Sequence, residues 1–422
     1  MTSHADYVLR IVEERRVRFV RLWFVDVLGI LKSIAIPASE LEAALEDGVS
    51  LDGSSLEGGV RGHERDVVAH PDPTTFQLLP WRTDAVVGRM FCDLRLPDGT
   101  PFAADSRQAL RRMLGVAADL GYTFQVGAEI EFFLFAVPEG DGPPVPLDDG
   151  AYYDLTPLDV GSSFRRRTIE HVEGMSIPVK ASHHEVAPSQ HEIDLHHTDA
   201  LSMADAVTTF RLTVKEVAGE LGVYATFMPK PLEDVPGSGM HLHLSLFRGD
   251  ENLFAGDPLS ELGQAFLAGV LAHAGELCAV TNQWVNSYKR LVSGDEAPEH
   301  VTWARHGRAA LARVPVARRP EAARVELRQP DPSCNPYLTF ALVLAAGLRG
   351  IERGYNLPPE GEGPPLPESL REATDRFDAS ELARETLGDR MCDWIVANKR
   401  REWGDYRRAV TEFERRRLLR LL

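Results

Sequence analysis

Apolar and polar positions alternate along this chain with two periods, one helical and one extended, and the switches between them mark out its elements. Asp6 to Arg16 has helical spacing, with Val8, Leu9, Ile11 and Val12 on the apolar side. RFVRLWFVDVLG and ILKSIAIP are β-rich runs joined around Gly29, a predicted hairpin. Ala38 to Glu46 is a second short helix, and PDPTTFQLLPW and AVVGRMFCDL are further strands. A Pro/Gly boundary at PDGTPFAAD closes this strand-rich unit near residue 100. Asp105 or Ser106 then caps a helix running to Gly121, with Leu110, Met113, Leu114 and Ala117 as its buried stripe. Next come the strand TFQVGAEIEFFLF, a Pro/Gly-rich loop, and a helix from about Ser162 to Gly174. In SHHEVAPSQHEIDL two alternating arms flank a turn at Ala187–Gln190. A helix from Ser202 to Leu221 leads into a strand, a loop and a strand over YATFMPKPLEDVPGSGMHLHLSLF. A helix from about Leu262 to Leu277, the loop VNSYKRLVSGDEAP, the strand ARVELRQPDP and the apolar helix NPYLTFALVLAAGLRGIERG follow. The end, from about Ala383 to Leu422, is helical and charged, and RREWGDYRRAVTEFERRRLL reads as an amphipathic or partner-facing helix.

Strand side chains repeat every two residues, so the extended runs sort their polar groups by face. Glu129 and Glu131 share a face, as do His183 and Glu185, Glu192 and Asp194, His241 and His243, and Arg324, Glu326 and Arg328. Glu185 and Glu192 stand on opposite arms of one hairpin and can converge. Solvated strand faces and surface ion-pair ladders produce such pairs too. Here the pairs recur strand after strand among apolar residues, and like charges packed together need a cation. Gly237 and Gly239 let the loop before His241 approach a ligand closely. The loops SLDGSSLEGG and VNSYKRLVSGDEAP carry Asp52, Arg290 and Glu296, and RHGRAALARVP carries Arg308 and Arg313.

Composition narrows the class. With 422 residues the chain suits two or more domains, and 44% hydrophobic and 26% charged residues are ordinary for a globular protein. A net charge of −17 argues against nucleic-acid or anionic-membrane partners. Cys92, Cys278, Cys334 and Cys392 are far apart, so neither a disulfide framework nor a zinc site is expected, and a cytoplasmic setting fits. The N-terminus lacks a signal-peptide core, and no run is expected to span a membrane. Walker and GxGxxG loops are absent.

Glutamates with one histidine form a hard, oxygen-rich donor set that suits Mg²⁺ or Mn²⁺. Arginines beside them match phosphate or carboxylate bidentately. Together they predict a metal-dependent phosphoryl-transfer enzyme acting on a small anionic substrate. A metallohydrolase or a kinase would use similar parts.

The motifs DGSS at 52–55, GAEIEFFLF, HHEVAPSQHEID, GSGMHLH, VNSYKRL, EAP at 296–298 and RVELRQPDPSCNPYL resemble the glutamine synthetase family nearly end to end. The resemblance implies an α+β fold. A β-grasp N-terminal domain would occupy 1–100, and a catalytic domain with a curved antiparallel sheet and flanking helices 101–422. It implies a homododecamer of two stacked hexamers with active sites shared between neighbours, and two to three Mg²⁺ (or Mn²⁺) per site. It implies ATP, L-glutamate and an amine or ammonia as substrates, joined through γ-glutamyl phosphate. Carried over by position, Glu131, Glu185 and Glu192 match ligands of a first metal, and Glu129, His241 and Glu326 those of a second. Arg290, Arg308 and Arg328 match arginines on glutamate and the transferring phosphate. His243, Ser245, Arg313 and Arg324 match positions near the nucleotide, and Gly237 a glutamate contact. Glu296 matches a flap residue. Asp52, from the next subunit, matches the group that deprotonates the ammonium, beside Tyr152 and Ser55. Pro236 stands where ammonia-using members usually have Asn, and His306-Gly307-Arg308-Ala309 replaces the usual wording around that arginine. TNQWVNSYKR with PGSGMH is similar to actinobacterial γ-glutamylpolyamine and γ-glutamylamine synthetases. The expected acceptor is therefore a primary alkylamine or polyamine, with plain glutamine synthesis from ammonia as the alternative.

Overall fold

The structure is a computed structural model that describes residues 4–57, 66–138, 140, 142–155, 160–292 and 296–422. Among these, fifteen strands form two sheets. The first holds β1 (Phe19–Val25), β2 (Leu31–Pro37), β3 (Val49–Asp52), β4 (Asp66–Pro71), β5 (Gln77–Leu78) and β6 (Val87–Arg95). Their order is β2-β1-β6-β4-β3, with β5 on β6 and a parallel β1–β6 pair inside the sheet. The predicted hairpin around Gly29 is β1–β2, paired Phe19 to Pro37 through Val25 to Leu31. Of PDPTTFQLLPW only Pro71, the end of β4, and Gln77–Leu78 are strand. Asp72 caps a 3-10 turn that begins at Pro73, whose ring nitrogen has no proton for a sheet ladder.

The second sheet holds β7 (Thr123–Ala136), β8 (Val179–His184), β9 (Gln190–Asp199), β10 (Val223–Thr226), β11 (Met240–Arg248), β12 (Glu251–Asn252), β13 (Trp303–Ala304), β14 (Ala312–Arg313) and β15 (Val325–Leu327). Its order is β13-β14-β15-β11-β7-β9-β8, with β10 beside β7 and β12 beside β11. Along β7, Val126, Ala128, Ile130 and Phe132 point into the main core, shared with the helices Ser106–Asp119, Ala200–Leu221, Glu261–Thr281 and Pro336–Arg353. The opposite face carries Glu129 and Glu131. Beyond Phe132 both faces are covered, Phe133 and Phe135 packing with Ala187 in a small cluster, so the alternation is lost there.

Several expectations change. The loop over VNSYKRL contains a short helix, Ser287–Leu291, and the strand around Glu326 is only three residues long because prolines follow at 330 and 332. The charged C-terminus is three helices, Glu381–Leu387, Asp389–Tyr406 and Glu412–Leu418, the last started by a Thr411/Glu414 capping box. The 21-residue helix Glu261–Thr281 is long and apolar enough to cross a membrane, contrary to the sequence expectation, but 67% of its most apolar window is buried. Gly269 explains its seat: a Cβ there would meet the Ala346 carbonyl at 2.2 Å. Cys92, Cys278, Cys334 and Cys392 are free and buried.

Candidate active site

Strand register builds the site. Glu129 stands opposite His241 on β11 and opposite Asp194 on β9, while Glu131 stands opposite Glu192. Glu192 is in turn opposite His183 on β8, and His243 is opposite Glu326 on β15. Directly opposed residues have Cβ atoms about 5 Å apart, so five strands deliver their acidic and imidazole groups to one area. Glu185 follows β8, its N–H donating to the Gln190 carbonyl at 2.7 Å across the turn. This is the convergence expected of SHHEVAPSQHEIDL.

Three overlapping groups offer ligand atoms all within 4.8 Å of one another: Glu129–His241–Glu326, Glu131–Glu192–His241 and His183–Glu185–Glu192. The first reproduces one expected metal set. The other expected set, Glu131, Glu185 and Glu192, is divided between the remaining two. Burial, reinforced by the Glu185 charge, pushes the Glu131 carboxyl up to about 8. Burial and the Glu131 charge push Glu192 well above the usual carboxylate range. Asp194 Oδ1 is buried and has no hydrogen-bond partner. Crowded, desolvated carboxylates with an imidazole fit a hard divalent cation, which supplies the charge they lack.

Glu326 is completely buried, and its two oxygens accept from Arg328 at 2.9 Å and Arg313 at 2.6 Å. Arg324 Nε donates to His243 Nδ1 at 3.0 Å. A guanidinium only donates, so His243 carries its proton on Nε2 and gives it to Glu129 at 2.6 Å. Ser245 is buried two residues further along β11. Arg290, 2% exposed, donates to the carbonyls of Gln329 and Arg328 at 2.9 and 3.0 Å.

The cleft is lined by Glu131, Glu185, Gln190, Pro236, Gly237, His241, Arg290, Glu296, Ala297 and Arg328. The two loop glycines are required by close approach. A Cβ on Gly237 would lie 2.2 Å from the Pro229 carbonyl, and one on Gly239 would lie 2.6 Å from an Arg290 nitrogen. Glu296 has φ +122 and bonds Arg308 at 2.6 Å, and Arg308 lies over the Tyr152 ring at 5.5 Å. Asp52 and Ser55 lie outside this lining. Asp52 ends β3 of the first sheet and Ser55 lies in the 3-10 turn that follows, where the Asp52 carboxylate accepts from Ser54 N at 3.0 Å. Sequence reasoning missed Gln190, whose amide donates to Glu131 at 2.9 Å, and Tyr153, whose ring lies against that of Tyr152, tilted by 38°. Gln190 was findable, since it lies two residues before Glu192 on the same strand.

Family profiles cover both sheets: the glutamine synthetase β-grasp domain matches residues 16–97 and the glutamine synthetase catalytic domain residues 103–418. The chain belongs to the glutamine synthetase family. Its fold is the family's α+β arrangement of a β-grasp N-terminal part and a catalytic part, and it is a carbon–nitrogen ligase of that family. A glutamine synthetase of Mycolicibacterium smegmatis is 53% identical, with 98% of each chain covered. One from Mycobacterium tuberculosis is 52% identical over the whole of both chains. Among solved structures, a GmaS/ADP complex superposes with TM-score 0.90 at 34% identity, covering both chains completely.

Proposed function

We propose that this glutamine synthetase family ligase joins the γ-carboxylate of L-glutamate to a primary alkylamine or polyamine, using ATP, through γ-glutamyl phosphate. The observation that carries the ligase chemistry is the cross-strand cluster of glutamates and His241 flanked by buried Arg290 and Arg328. Glu131, Glu185 and Glu192 would hold one Mg²⁺ or Mn²⁺, and Glu129, His241 and Glu326 a second, within the two to three per site expected of the family. Bound there, the ions supply charge neutralisation for the nucleotide phosphates. Arg290 and Gly237 bind glutamate. Arg308 and Arg328 hold the phosphoryl group while the γ-carboxylate oxygen bonds to phosphorus and the bond to ADP breaks. Arg313, Arg324, His243 and Ser245 frame the nucleotide. The amine then attacks the acyl carbon and phosphate leaves, while Asp52 of a neighbouring subunit takes the ammonium proton beside Ser55, Tyr152 and Glu185. Glu296 covers the intermediate. A homododecamer in which neighbours share sites accounts for Asp52 lying outside the lining of its own cleft. No nucleic-acid or membrane partner enters the scheme, and four buried free thiols suit a reducing cytoplasm.

Pro236 supports the larger acceptor. It lines the cleft beside Gly237 and offers neither a side-chain amide nor a backbone N–H. The likeness to GmaS points the same way. Ammonia is the second reading, favoured by the name glutamine synthetase on relatives 52–53% identical. The test is phosphate release at saturating ATP and glutamate with ammonium, methylamine, ethanolamine, putrescine and spermidine. The proposal expects at least one carbon-bearing amine to exceed ammonium in kcat/KM. An ammonium advantage of tenfold or more, about 1.4 kcal/mol of transition-state preference, refutes it.

A further inference from the structure

Tyr153 holds a position that neither the core nor the metal cluster explains. Its backbone is at φ +64, a region that residues other than glycine and asparagine rarely adopt, and its side chain is 64% exposed. Such outliers persist where surrounding structure over-determines them, and they cluster at functional sites. Here the surroundings are specific. The Tyr153 N–H donates to the His184 carbonyl at 3.0 Å, tying the residue to the neighbour of Glu185. The two tyrosine hydroxyls are hydrogen-bonded at 2.9 Å, and the rings are 3.9 Å apart. The Tyr153 ring is also 4.8 Å from that of His183, whose Nε2 is 2.8 Å from Glu185.

The segment that carries the pair is clipped to the same hairpin. His184 Nε2 is 2.9 Å from Asp148, and Asp148 accepts from Ser189 N at 2.9 Å. A Cβ on Gly150 would collide with His184 at 2.5 Å. The segment is therefore held to the hairpin that carries Glu185. Arg308 already occupies a place over Tyr152, which leaves Tyr153 as the aromatic surface open to another occupant. The Glu185 and Glu296 carboxylates stand one side chain behind these rings, bonded to His183 and Arg308 respectively. An aromatic face bordered by carboxylates suits a cationic head with a carbon chain, since ring faces attract cations and methylenes alike. A bare ammonium ion needs no such wall.

We infer that Tyr153 is the specificity-determining residue of the acceptor side, its ring lining, with Tyr152 and His183, the path of the carbon chain of a primary alkylamine. This rests on the acceptor reading above, and the measurement separates the two. For wild type, Tyr153→Phe and Tyr153→Ala, the KM of propylamine is measured against the KM of ammonium on the same preparation. Where propylamine is not turned over, its competitive Ki against ammonium replaces its KM. Taking the ratio within one preparation cancels any loss of folded enzyme. Tyr153→Ala should raise the propylamine-to-ammonium ratio by about tenfold, and Tyr153→Phe, which keeps the ring face, by less than about twofold. An unchanged ratio in Tyr153→Ala overturns the inference, and so does an equal loss in Tyr153→Phe, which would assign the effect to the hydroxyl. A wild type that turns over ammonium alone overturns the acceptor reading, while the Ki ratio still decides the role of Tyr153.

Discussion

The Glu131 carboxylate puts the cluster under a strain that can be measured without any turnover. Its Oε2 accepts from Gly239 N at 2.8 Å and from Gln190 Nε2 at 2.9 Å, while Oε1 faces His241 Nε2 at 3.9 Å. In Glu131→Gln the amide oxygen can keep both bonds, with the amide NH₂ turned toward His241, so mainly charge is removed. Burial and the nearby Glu185 charge hold this carboxyl at about 8, against an ordinary 4.5. Between those values the folded chain keeps a proton that the unfolded chain releases, so metal-free stability falls as pH rises through that window and is flat above it. At pH 7 the cost is about 3 kcal/mol, from ~1.4 kcal/mol per tenfold. With an unfolding entropy of about 2 cal/mol/K per residue over 422 residues, that corresponds to about 4 °C in Tm. In EDTA, Glu131→Gln should therefore melt about 4 °C above wild type at pH 7, with a smaller gap at pH 5. Added Mg²⁺ should raise the wild-type Tm more than that of the variant, because binding to the folded state stabilises it by mass action. Scanning fluorimetry across pH and metal concentration reads all of this. Equal melting in EDTA, or equal metal shifts, would show that like-charge crowding is not what a cation relieves here.

If neighbours share sites as proposed, mixing inactive Asp52→Ala with inactive Glu326→Ala should restore part of the phosphate-release activity, because mixed rings would contain intact sites; an active monomer by ultracentrifugation would refute shared sites. Gly237→Ala brings a Cβ to 2.2 Å from the Pro229 carbonyl and should cut kcat/KM for glutamate at least tenfold; a value near wild type would remove Gly237 from the glutamate wall. Lys399 is wholly buried over Trp284, and burial lowers its ammonium to about 8 from an ordinary 10.5. The unfolded chain keeps that proton between those values while the folded chain has lost it, so wild-type stability should rise with pH across the window. Lys399→Met should lose this rise in urea titrations, and identical slopes would count against it.

The site was legible in the sequence because it is built on strands. Period-two spacing alone puts Glu129 with Glu131 and His241 with His243, and cross-strand register then joins pairs that the sequence keeps over a hundred residues apart. Helix starts were legible where a capping side chain announces them, as at Asp105, which accepts from Arg107 N and Gln108 N. Less was legible where tertiary contacts decide. The Phe132–Phe135 run is buried on both faces, so no alternation marks it. Tyr153 carries no signal of its left-handed backbone, since nothing in a Tyr-Tyr pair asks for positive φ. The C-terminal helix divides at Thr411 because a capping box there competes with continuation of the helix, a signal present in TEFE but masked by the charged periodicity around it.

The proposed sharing of a site between neighbours would make a demand that the joint between the two sheets meets. If Asp52 serves another subunit, its position relative to its own large sheet must be fixed, or every ring closure would misplace it. A catalytic group displaced by about 1 Å can lose a hundredfold in rate. The joint is built accordingly. Arg107, 3% exposed, donates to Asp93 of the first sheet, to Asp72 in the turn after β4, and bidentately to Asp205 of the helix Ala200–Leu221. Tyr337 adds its hydroxyl to Asp205 at 2.7 Å. On another side, Asn335 caps the helix Pro336–Arg353, and its amide donates to the Val27 carbonyl and to Ser106. Gly29 there leaves no room for a side chain, a Cβ falling 2.8 Å from Asn335 Cα. Apolar contact alone would let two sheets slide, because hydrophobic burial is non-directional. Buried charges and amides have one satisfied geometry, and leaving a buried ion unpaired costs several kcal/mol. The polar joint therefore contributes rigidity rather than net stability, which is what Asp52 would require if it serves another subunit's site as proposed.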